Sequence, residues 1–208
     1  MRRVTITEII SLLRMRLESV ERAEMLIDTV EGQRPDARKA AVLIAVFEHE
    51  NEPYIAFIRR ASTLRSHSGE IAFPGGSVDA TDSSPVVTAL REAYEEIGLD
   101  PLRVDVLGVL TPVFTVVSNY LITPVVGYLP HGLGELHLQA SEVTELILAP
   151  IQALADPSIV HTEQWLRRGT MRTIYFYDHR SYRIWGATGR ILSMLLELLQ
   201  DIWVEEAF

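Results

Sequence analysis

The sequence predicts an α/β protein, in which a mixed central sheet lies between helical layers as an α/β/α sandwich. Short apolar runs typical of buried strands occur at residues 40–47 and 53–60, ahead of a helical pattern at 85–97. Further strand-like runs follow that pattern, and a strongly apolar helical pattern lies near the end of the chain. Strands on both sides of a central helix, with a second long helix late in the chain, favour a sheet covered on both faces.

The first element is predicted to be a helix that begins after Thr5. Thr5 and Glu8 have the spacing of a capping box, and the apolar residues behind them repeat at helical intervals. These apolar residues are Ile6, Ile9, Ile10, Leu13, Leu17 and Val20. A polar connector follows at 31–38. Residues 1–35 are therefore expected to form an N-terminal helical extension, and residues 36–208 the main domain.

A central helix is predicted from Pro85 to Ile97. Ser84 and Pro85 form an N-cap and first-turn pair, and Gly98 is a typical helix stop. Before this helix, residues 61–84 are expected to form a loop that is interrupted by one short strand near Ile71, Ala72 and Phe73.

After the central helix the pattern returns to strands. We expect two strands within 104–115 and 120–129 joined near Ser118 and Asn119, a strand and a helix around Pro150, a hairpin around Asp178 and His179, and a C-terminal helix within 187–203. The segment 165–169 is expected to be a solvated loop. His131, His137, His161 and His179 show no metal-ligand spacing and are expected at the surface.

Composition excludes several classes of function. The 208 residues suffice for a sizeable core, and the formal net charge of -9 argues against broad binding to nucleic acid or anionic membranes. Without cysteine there are no disulfides, thiolate metal sites or cysteine nucleophiles. The N-terminus lacks the apolar run of a secretory signal, and no segment is long enough to span a bilayer. We therefore expect a cytoplasmic protein, and a homodimer is compatible with the sequence.

Three glutamates of the central helix carry the strongest functional indication. Glu92, Glu95 and Glu96 are expected to share one face, separate from a core face formed by Val86, Leu90, Ala93 and Ile97. No Lys or Arg stands three or four residues after Glu92 to relieve the repulsion. One interpretation is a solvated acidic face. The other is a Mg²⁺ or Mn²⁺ site for attack of water on a phosphate ester or anhydride, because hard cations prefer carboxylate oxygens.

Residues 75–99 resemble the Nudix box, whose pattern is Gly, five residues, Glu, seven residues, then Arg-Glu-apolar-any-Glu-Glu-any-Gly-apolar. The second half matches throughout 91–99, whereas Asp82 stands where the box has its first Glu, and one extra residue follows it. The resemblance implies the Nudix fold and a divalent metal held by Glu92 and Glu96. It also implies that Glu95 is a second ligand or base and that Arg91 orients a box glutamate. Asp82 itself is expected to be a loop or cap residue.

The segment before the box resembles the coenzyme A diphosphatase branch of the Nudix hydrolases. Its matching residues are Arg60, Ala61, Leu64, Arg65, His67, Gly69, Glu70, Ile71, Ala72, Phe73, Pro74, Gly75 and Gly76. The resemblance implies hydrolysis of coenzyme A or acyl-coenzyme A to 3′,5′-ADP and 4′-phosphopantetheine or its acyl form. Arg60, Arg65 and His67 are the candidate contacts to substrate phosphates.

Gly75 and Gly76 are expected to lie against the substrate and the metal. A further acid from a late loop, as metal ligand or general base, is expected at Glu142, with Glu145 as the alternative. Two other functions stay open at this point. One is hydrolysis of another nucleoside diphosphate derivative, such as ADP-ribose or NADH, and the other is a noncatalytic nucleotide sensor. Sensors of this kind usually lack box glutamates, and this chain has all three.

Overall fold

Two β-sheets with helices packed against them form the protein, for which a computed structural model describes residues 3–27, 30, 32–62, 69–167 and 169–203. The helices are α1 (Ile6–Arg16), α2 (Ala23–Ile27), α3 (Pro85–Ile97), α4 (Ile151–Leu154) and α5 (Gly186–Leu199). The larger sheet contains β1 (Arg38–His49), β2 (Glu52–Arg60), β3 (Ile71–Ala72), β4 (Gly75–Ser77), β5 (Asp105–Val109), β6 (Val113–Thr115), β7 (Tyr120–Leu129) and β8 (Val143–Pro150). The smaller sheet contains β9 (Val160–Arg167), β10 (Thr170–His179) and β11 (Tyr182–Trp185).

The larger sheet is mixed, as the sequence predicts. β1 pairs in parallel with β7 and antiparallel with β2. The β1–β2 pairing covers only residues 46–49 of β1, whereas β4 pairs with residues 40–42 and β3 pairs with the far end of β2. The short strands β3 and β4 therefore lie where β1 and β2 diverge, and they bring the Pro74-Gly75-Gly76 turn to this opening.

Side chains alternate between the two faces of the larger sheet and create two apolar clusters. On β2, Ile55 and Phe57 join the cluster that contains residues of α1 and α5, whereas Ala56 and Ile58 join the cluster that contains residues of α3. Helices thus cover both faces, which confirms the α/β/α architecture.

The N-terminal helix has the predicted capping box. The Thr5 hydroxyl accepts a hydrogen bond from the Glu8 N–H, and the Glu8 carboxylate accepts one from the Thr5 N–H. The helix ends at Arg16, so the predicted extension to Val20 is wrong, and residues 20–22 form a separate 3-10 turn. The domain boundary between 35 and 36 stays a prediction.

Several sequence expectations about the second half of the chain need correction. Residues 104–115 form two strands, β5 and β6, and β4 adds a second short strand to the loop at 61–84. The segment at 165–167 belongs to strand β9 rather than to a loop, and β9 forms a hairpin with β10. His161 lies on β9, and His179 ends β10 and is buried rather than at the surface.

None of the helices in the described ranges is both long and apolar enough to cross a lipid bilayer.

Candidate active site

Helix α3 has the predicted bounds, Pro85–Ile97. The Ser84 hydroxyl accepts a hydrogen bond from the Val87 N–H at 3.3 Å, and Pro85 occupies the first turn. Gly98 adopts φ = 71° and ends the helix in the left-handed conformation that glycine tolerates best. These local signals fix the register of the glutamates that follow.

The three glutamates of α3 lie on one side of the helix, as their spacing predicts, but they differ sharply in exposure. The side chains of Glu96, Glu92 and Glu95 are 2 %, 16 % and 55 % exposed. Glu96 is buried beside Ala93 and Ile97, because the Gly75-Gly76 strand covers this side of the helix. The helix therefore holds one buried, one half-buried and one exposed carboxylate.

The two glycines of the turn allow the backbone to pack against these carboxylates. The Gly75 N–H donates a 2.9 Å hydrogen bond to Oε2 of Glu96. A Cβ placed on Gly76 would lie 2.5 Å from the carboxylate carbon of Glu92, and one on Gly75 would lie 2.4 Å from the Ala41 carbonyl oxygen. A larger residue at Gly75 would clash with the β1 backbone, and one at Gly76 would displace the Glu92 carboxylate.

Arg60 lies at the same place, at the end of β2. Its Nη1 atom is 3.6 Å from Oε1 of Glu96. The contact observed for Arg60 is thus an ion pair with a box glutamate. Arg65 and His67, the other candidate phosphate contacts, lie outside the described residues.

Asp82 is more than the loop or cap residue that the sequence led us to expect. Its side chain is 2 % exposed and accepts two hydrogen bonds from the Arg91 guanidinium, from Nε at 3.1 Å and from Nη2 at 2.8 Å. Thr88 donates a further hydrogen bond to Asp82, and the helix cap is Ser84. The Arg91 hydrogen bonds hold the pKa of Asp82 well below its usual range.

Arg91 connects Asp82 to the glutamates. Its Nη1 atom donates to Glu92 at 2.9 Å and to Glu95 at 3.1 Å, and its Nη2 atom also donates to the Ser77 carbonyl. This geometry agrees with the expectation that Arg91 orients a box glutamate. One sequence feature points to this position of Asp82 in the site: five residues separate it from Gly76, as in the box pattern.

The late acids Glu142 and Glu145 have different surroundings, since Glu142 precedes β8 and Glu145 lies within it, beyond a bulge. Arg59 of β2 pairs with Glu145, but the next residue pairs with Val143, so Thr144 is an extra residue. Glu145 accepts hydrogen bonds from Arg59 at 2.8 Å and from the Tyr182 hydroxyl at 2.5 Å. These hydrogen bonds hold the Glu145 carboxylate on the face of the sheet opposite α3, away from the α3 glutamates.

Glu142 instead lies beside the α3 glutamates. Its carbonyl oxygen accepts a 2.7 Å hydrogen bond from the Ala61 N–H, next to Arg60. Its N–H donates to the Gln139 carbonyl oxygen, and the Gln139 N–H donates to the main-chain carbonyl of Glu96. The Glu142 charge raises the pKa of both Glu92 and Glu96, as a smaller contribution than burial.

The electrostatics of the site fit a divalent cation. Burial, followed by the charges of Glu92 and Glu142, raises the pKa of Glu96 to about 7, against the opposing effects of the Gly75 N–H and Arg60. Burial also raises the pKa of Glu92. Carboxylates that are costly to bury as anions are stabilised when a cation binds them.

Within the described ranges, no three acidic or histidine side chains already converge as a metal cage. Glu92 and Glu96, one helical turn apart, offer two hard oxygen ligands. This arrangement suits Mg²⁺, which is commonly held by one or two carboxylates together with substrate phosphates.

Comparison with known proteins gives a consistent result. The NUDIX domain matches residues 37–168. An uncharacterized Nudix hydrolase NudL of Photorhabdus laumondii is 40% identical over 163 residues, which are 78% of this chain and 86% of that protein. A protein of the same name from Cronobacter sakazakii is 37% identical over 176 residues, 85% and 90% of the two chains.

Among solved structures, a MutT/nudix family protein from Enterococcus faecalis superposes with a TM-score of 0.50 over 97% of this chain and 75% of that one, at 12% identity. This likeness concerns the fold. Together with the domain match over more than half of the chain and the two NudL relatives, it leads to one conclusion: the chain belongs to the Nudix hydrolase family.

Proposed function

We propose that this Nudix hydrolase cleaves the diphosphate of coenzyme A or its thioesters, releasing 3′,5′-ADP and 4′-phosphopantetheine or its acyl form. The observation that carries the proposal is the continuity between two motifs. The segment that resembles the coenzyme A diphosphatase motif runs through β3 directly into Gly75 and Gly76, which pack on Glu96 and Glu92. The part of the chain that would select the substrate is thus joined to the part that would perform the chemistry.

In this proposal Glu92 and Glu96 hold Mg²⁺ or Mn²⁺. When bound, the cation would neutralise diphosphate oxygens and lower the pKa of an attacking water. Arg91, fixed by Asp82, keeps the Glu92 carboxylate oriented toward the turn. Arg60 offsets part of the charge of Glu96, and a phosphate arriving in the site would attract the same guanidinium.

Glu142 is the proposed general base. It is exposed and lies close enough to Glu92 and Glu96 to raise their pKa values. Its backbone is held by hydrogen bonds with Ala61 and Gln139. Glu95, which accepts a hydrogen bond from Arg91, is the alternative base or a second ligand.

A substrate panel tests the proposal. The protein is incubated with coenzyme A, NADH and ADP-ribose, with Mg²⁺ or Mn²⁺ and with EDTA, and products are identified by mass. We expect 3′,5′-ADP and 4′-phosphopantetheine from coenzyme A at the highest kcat/KM. Faster cleavage of ADP-ribose or NADH would overturn the coenzyme A assignment and leave the Nudix hydrolase assignment in place.

A further inference from the structure

The smaller sheet carries an aromatic face on the side away from the core. Tyr177 and Ile184, on the opposite face, are buried in the cluster that contains residues of α5. The cross-strand pairs His161–Phe176, Phe176–Trp185 and Trp165–Arg172 place these residues on the other face. We define the aromatic face as His161, Trp165, Phe176 and Trp185, with Arg167, Arg172 and Arg183 on the same side.

The rings of this face form an ordered stack. His161 and Phe176 are parallel within 3° at 4.8 Å between centroids, and Phe176 and Trp185 are parallel within 1° at 6.0 Å. Trp165 lies 6.1 Å from both Phe176 and Trp185 and is only partly buried. A partly exposed indole at the edge of such a stack is a suitable surface for another flat ring, and nucleobases stack on aromatic side chains without needing a specific edge.

The charges beside Trp165 favour an anionic ligand. The Arg167 guanidinium lies over the Trp165 ring, 4.6 Å from its centroid, so a nucleobase that stacks on this face would displace it toward the ligand's phosphate. Arg172 is the cross-strand partner of Trp165. In the described part of the chain neither arginine forms an ion pair with a carboxylate, and Nε of Arg172 is buried without a hydrogen-bond partner.

The acids on this face are already engaged. Glu163 accepts a hydrogen bond from the Trp165 indole, and Asp178 is paired with Arg183 and His161. Within the described ranges, two guanidinium groups without a carboxylate partner thus lie beside a partly exposed aromatic ring, a combination suited to a phosphorylated aromatic compound.

The aromatic face adjoins the opening of the larger sheet. β11 lies beside β3, and three residues of extended chain, roughly 10 Å, lead from Ala72 to Gly75. At the other end of the hairpin, a Cβ built on Gly32 would lie 2.7 Å from Nη2 of Arg172, so the hairpin also reaches the segment before β1. The smaller sheet thus contacts the strand that leads into the Gly75-Gly76 turn at one end and the segment before β1 at the other.

The NUDIX domain match ends at residue 168, so Phe176, Trp185 and Arg172 come from chain beyond the matched domain. Such an addition is suited to distinguish among substrates that share a diphosphate.

We propose that the aromatic face binds the phosphorylated nucleoside end of the substrate, with the nucleobase on Trp165 and a phosphate outside the scissile diphosphate on Arg167 and Arg172. This inference rests on the proposed function. Coenzyme A has both an adenine and a 3′-phosphate, whereas ADP-ribose and NADH have the adenine but no 3′-phosphate. It assigns substrate selection to side chains distant in sequence from the glutamates of α3.

Equilibrium binding to the full-length, metal-free protein tests the proposal with 3′,5′-ADP, AMP and ribose 5-phosphate. We expect wild type to bind 3′,5′-ADP most tightly and ribose 5-phosphate most weakly. Trp165→Leu should weaken both adenine nucleotides about tenfold, because stacking is lost. Arg172→Gln should weaken 3′,5′-ADP about tenfold and AMP much less, because only the former has the extra phosphate.

Leu166→Ala is the matched control, since Leu166 is the exposed neighbour of Trp165 on the other face of β9. It should leave all three affinities unchanged. Trp165→Phe, which retains a ring, should recover most of the AMP affinity and guards against misfolding of the leucine variant. If a folded Trp165→Leu protein binds 3′,5′-ADP and AMP as tightly as wild type does, the proposal is overturned. If the variants behave as expected but coenzyme A is not cleaved, the aromatic face stands and the proposed substrate fails.

Discussion

The side chain of Glu96 is 2 % exposed, and among the described residues its carboxylate accepts a hydrogen bond from the Gly75 N–H and has an arginine 3.6 Å away. Burial disfavours the charged form of this carboxylate and raises its pKa. In the proposed function, a divalent cation bound to Glu96 would offset the cost of burying this charge.

Glu92→Gln and Glu96→Gln should therefore each reduce kcat/KM by about 100-fold or more, because preorganised charge stabilisation of the transition state is lost. The fold should persist, since glutamine fills the same volume, and the melting temperature of metal-free Glu96→Gln should not fall. Steady-state assays at saturating Mg²⁺ and thermal melts in EDTA measure both effects. Near-normal turnover of the two variants would remove these glutamates from the metal site.

Asp82 is the second residue whose environment sets its role. A buried carboxylate with two hydrogen bonds from Arg91 orients that guanidinium, which in turn contacts Glu92 and Glu95. Asp82→Asn should lower the free energy of unfolding by about 1–3 kcal/mol, because a charge-assisted pair is broken. It should also reduce kcat by about tenfold or more, since Arg91 is then free to reorient around Glu92.

Asp79→Asn is the matched control for this variant. Asp79 lies in the same loop, is exposed, and its carboxylate accepts hydrogen bonds from Thr81 rather than from Arg91. Urea denaturation and initial rates compare the two variants. An Asp82→Asn protein with unchanged turnover would show that the aspartate serves stability alone, as the sequence had suggested.

At the scale of elements, α3 and β9 show what the sequence can and cannot predict. The bounds of α3 follow from neighbouring residues, with Ser84 as the N-cap and Gly98 as the stop. The burial of Glu96 was not predictable, because it results from a strand, β4, that pairs with β1 some 35 residues away in the chain. Strand β9 is not predictable from the sequence, because its residues are mostly exposed and polar and lack apolar alternation; its pairing partner in the described ranges is β10.

The bulge in β8 is a second case in which an element decides the role of its residues. It places Val143 in the apolar cluster that contains residues of α3 and leaves Glu145 on the other face, bonded to Arg59 and Tyr182. From sequence alone Glu142 and Glu145 are equivalent candidates, because the register of a strand is set by its partner.

Glu142→Gln should reduce kcat by about 100-fold with little change in KM, because a general base typically contributes at least that factor. Glu145→Gln, the matched control, should retain kcat and instead lower thermal stability through its lost bonds to Arg59 and Tyr182. The opposite result for the two variants would make Glu145 the base.

At the scale of the whole molecule, one face of the larger sheet carries the candidate active site and the other carries the larger apolar cluster. The face toward α3 holds the carboxylates, the glycine turn and Arg60. The face toward α1 and α5 holds the largest apolar cluster, which includes Ile9 and Leu13 of α1 and Leu192 and Leu195 of α5. The two terminal helices therefore stabilise the sheet from the side opposite the candidate active site.

Leu13→Ala should accordingly destabilise the whole protein, although Leu13 belongs to the predicted N-terminal extension. Leu13 is fully buried, so truncation should cost about 2–5 kcal/mol, which lowers the melting temperature by roughly 5–15 °C for a chain of this size. Met15→Ala is the control on the same helix, since Met15 is 72% exposed and its truncation should shift the melting temperature by at most about 2 °C. Unfolding followed by calorimetry should show one transition that moves as a unit in Leu13→Ala. A separate early transition, with the main one unmoved, would instead show that residues 1–35 fold independently of the sheet.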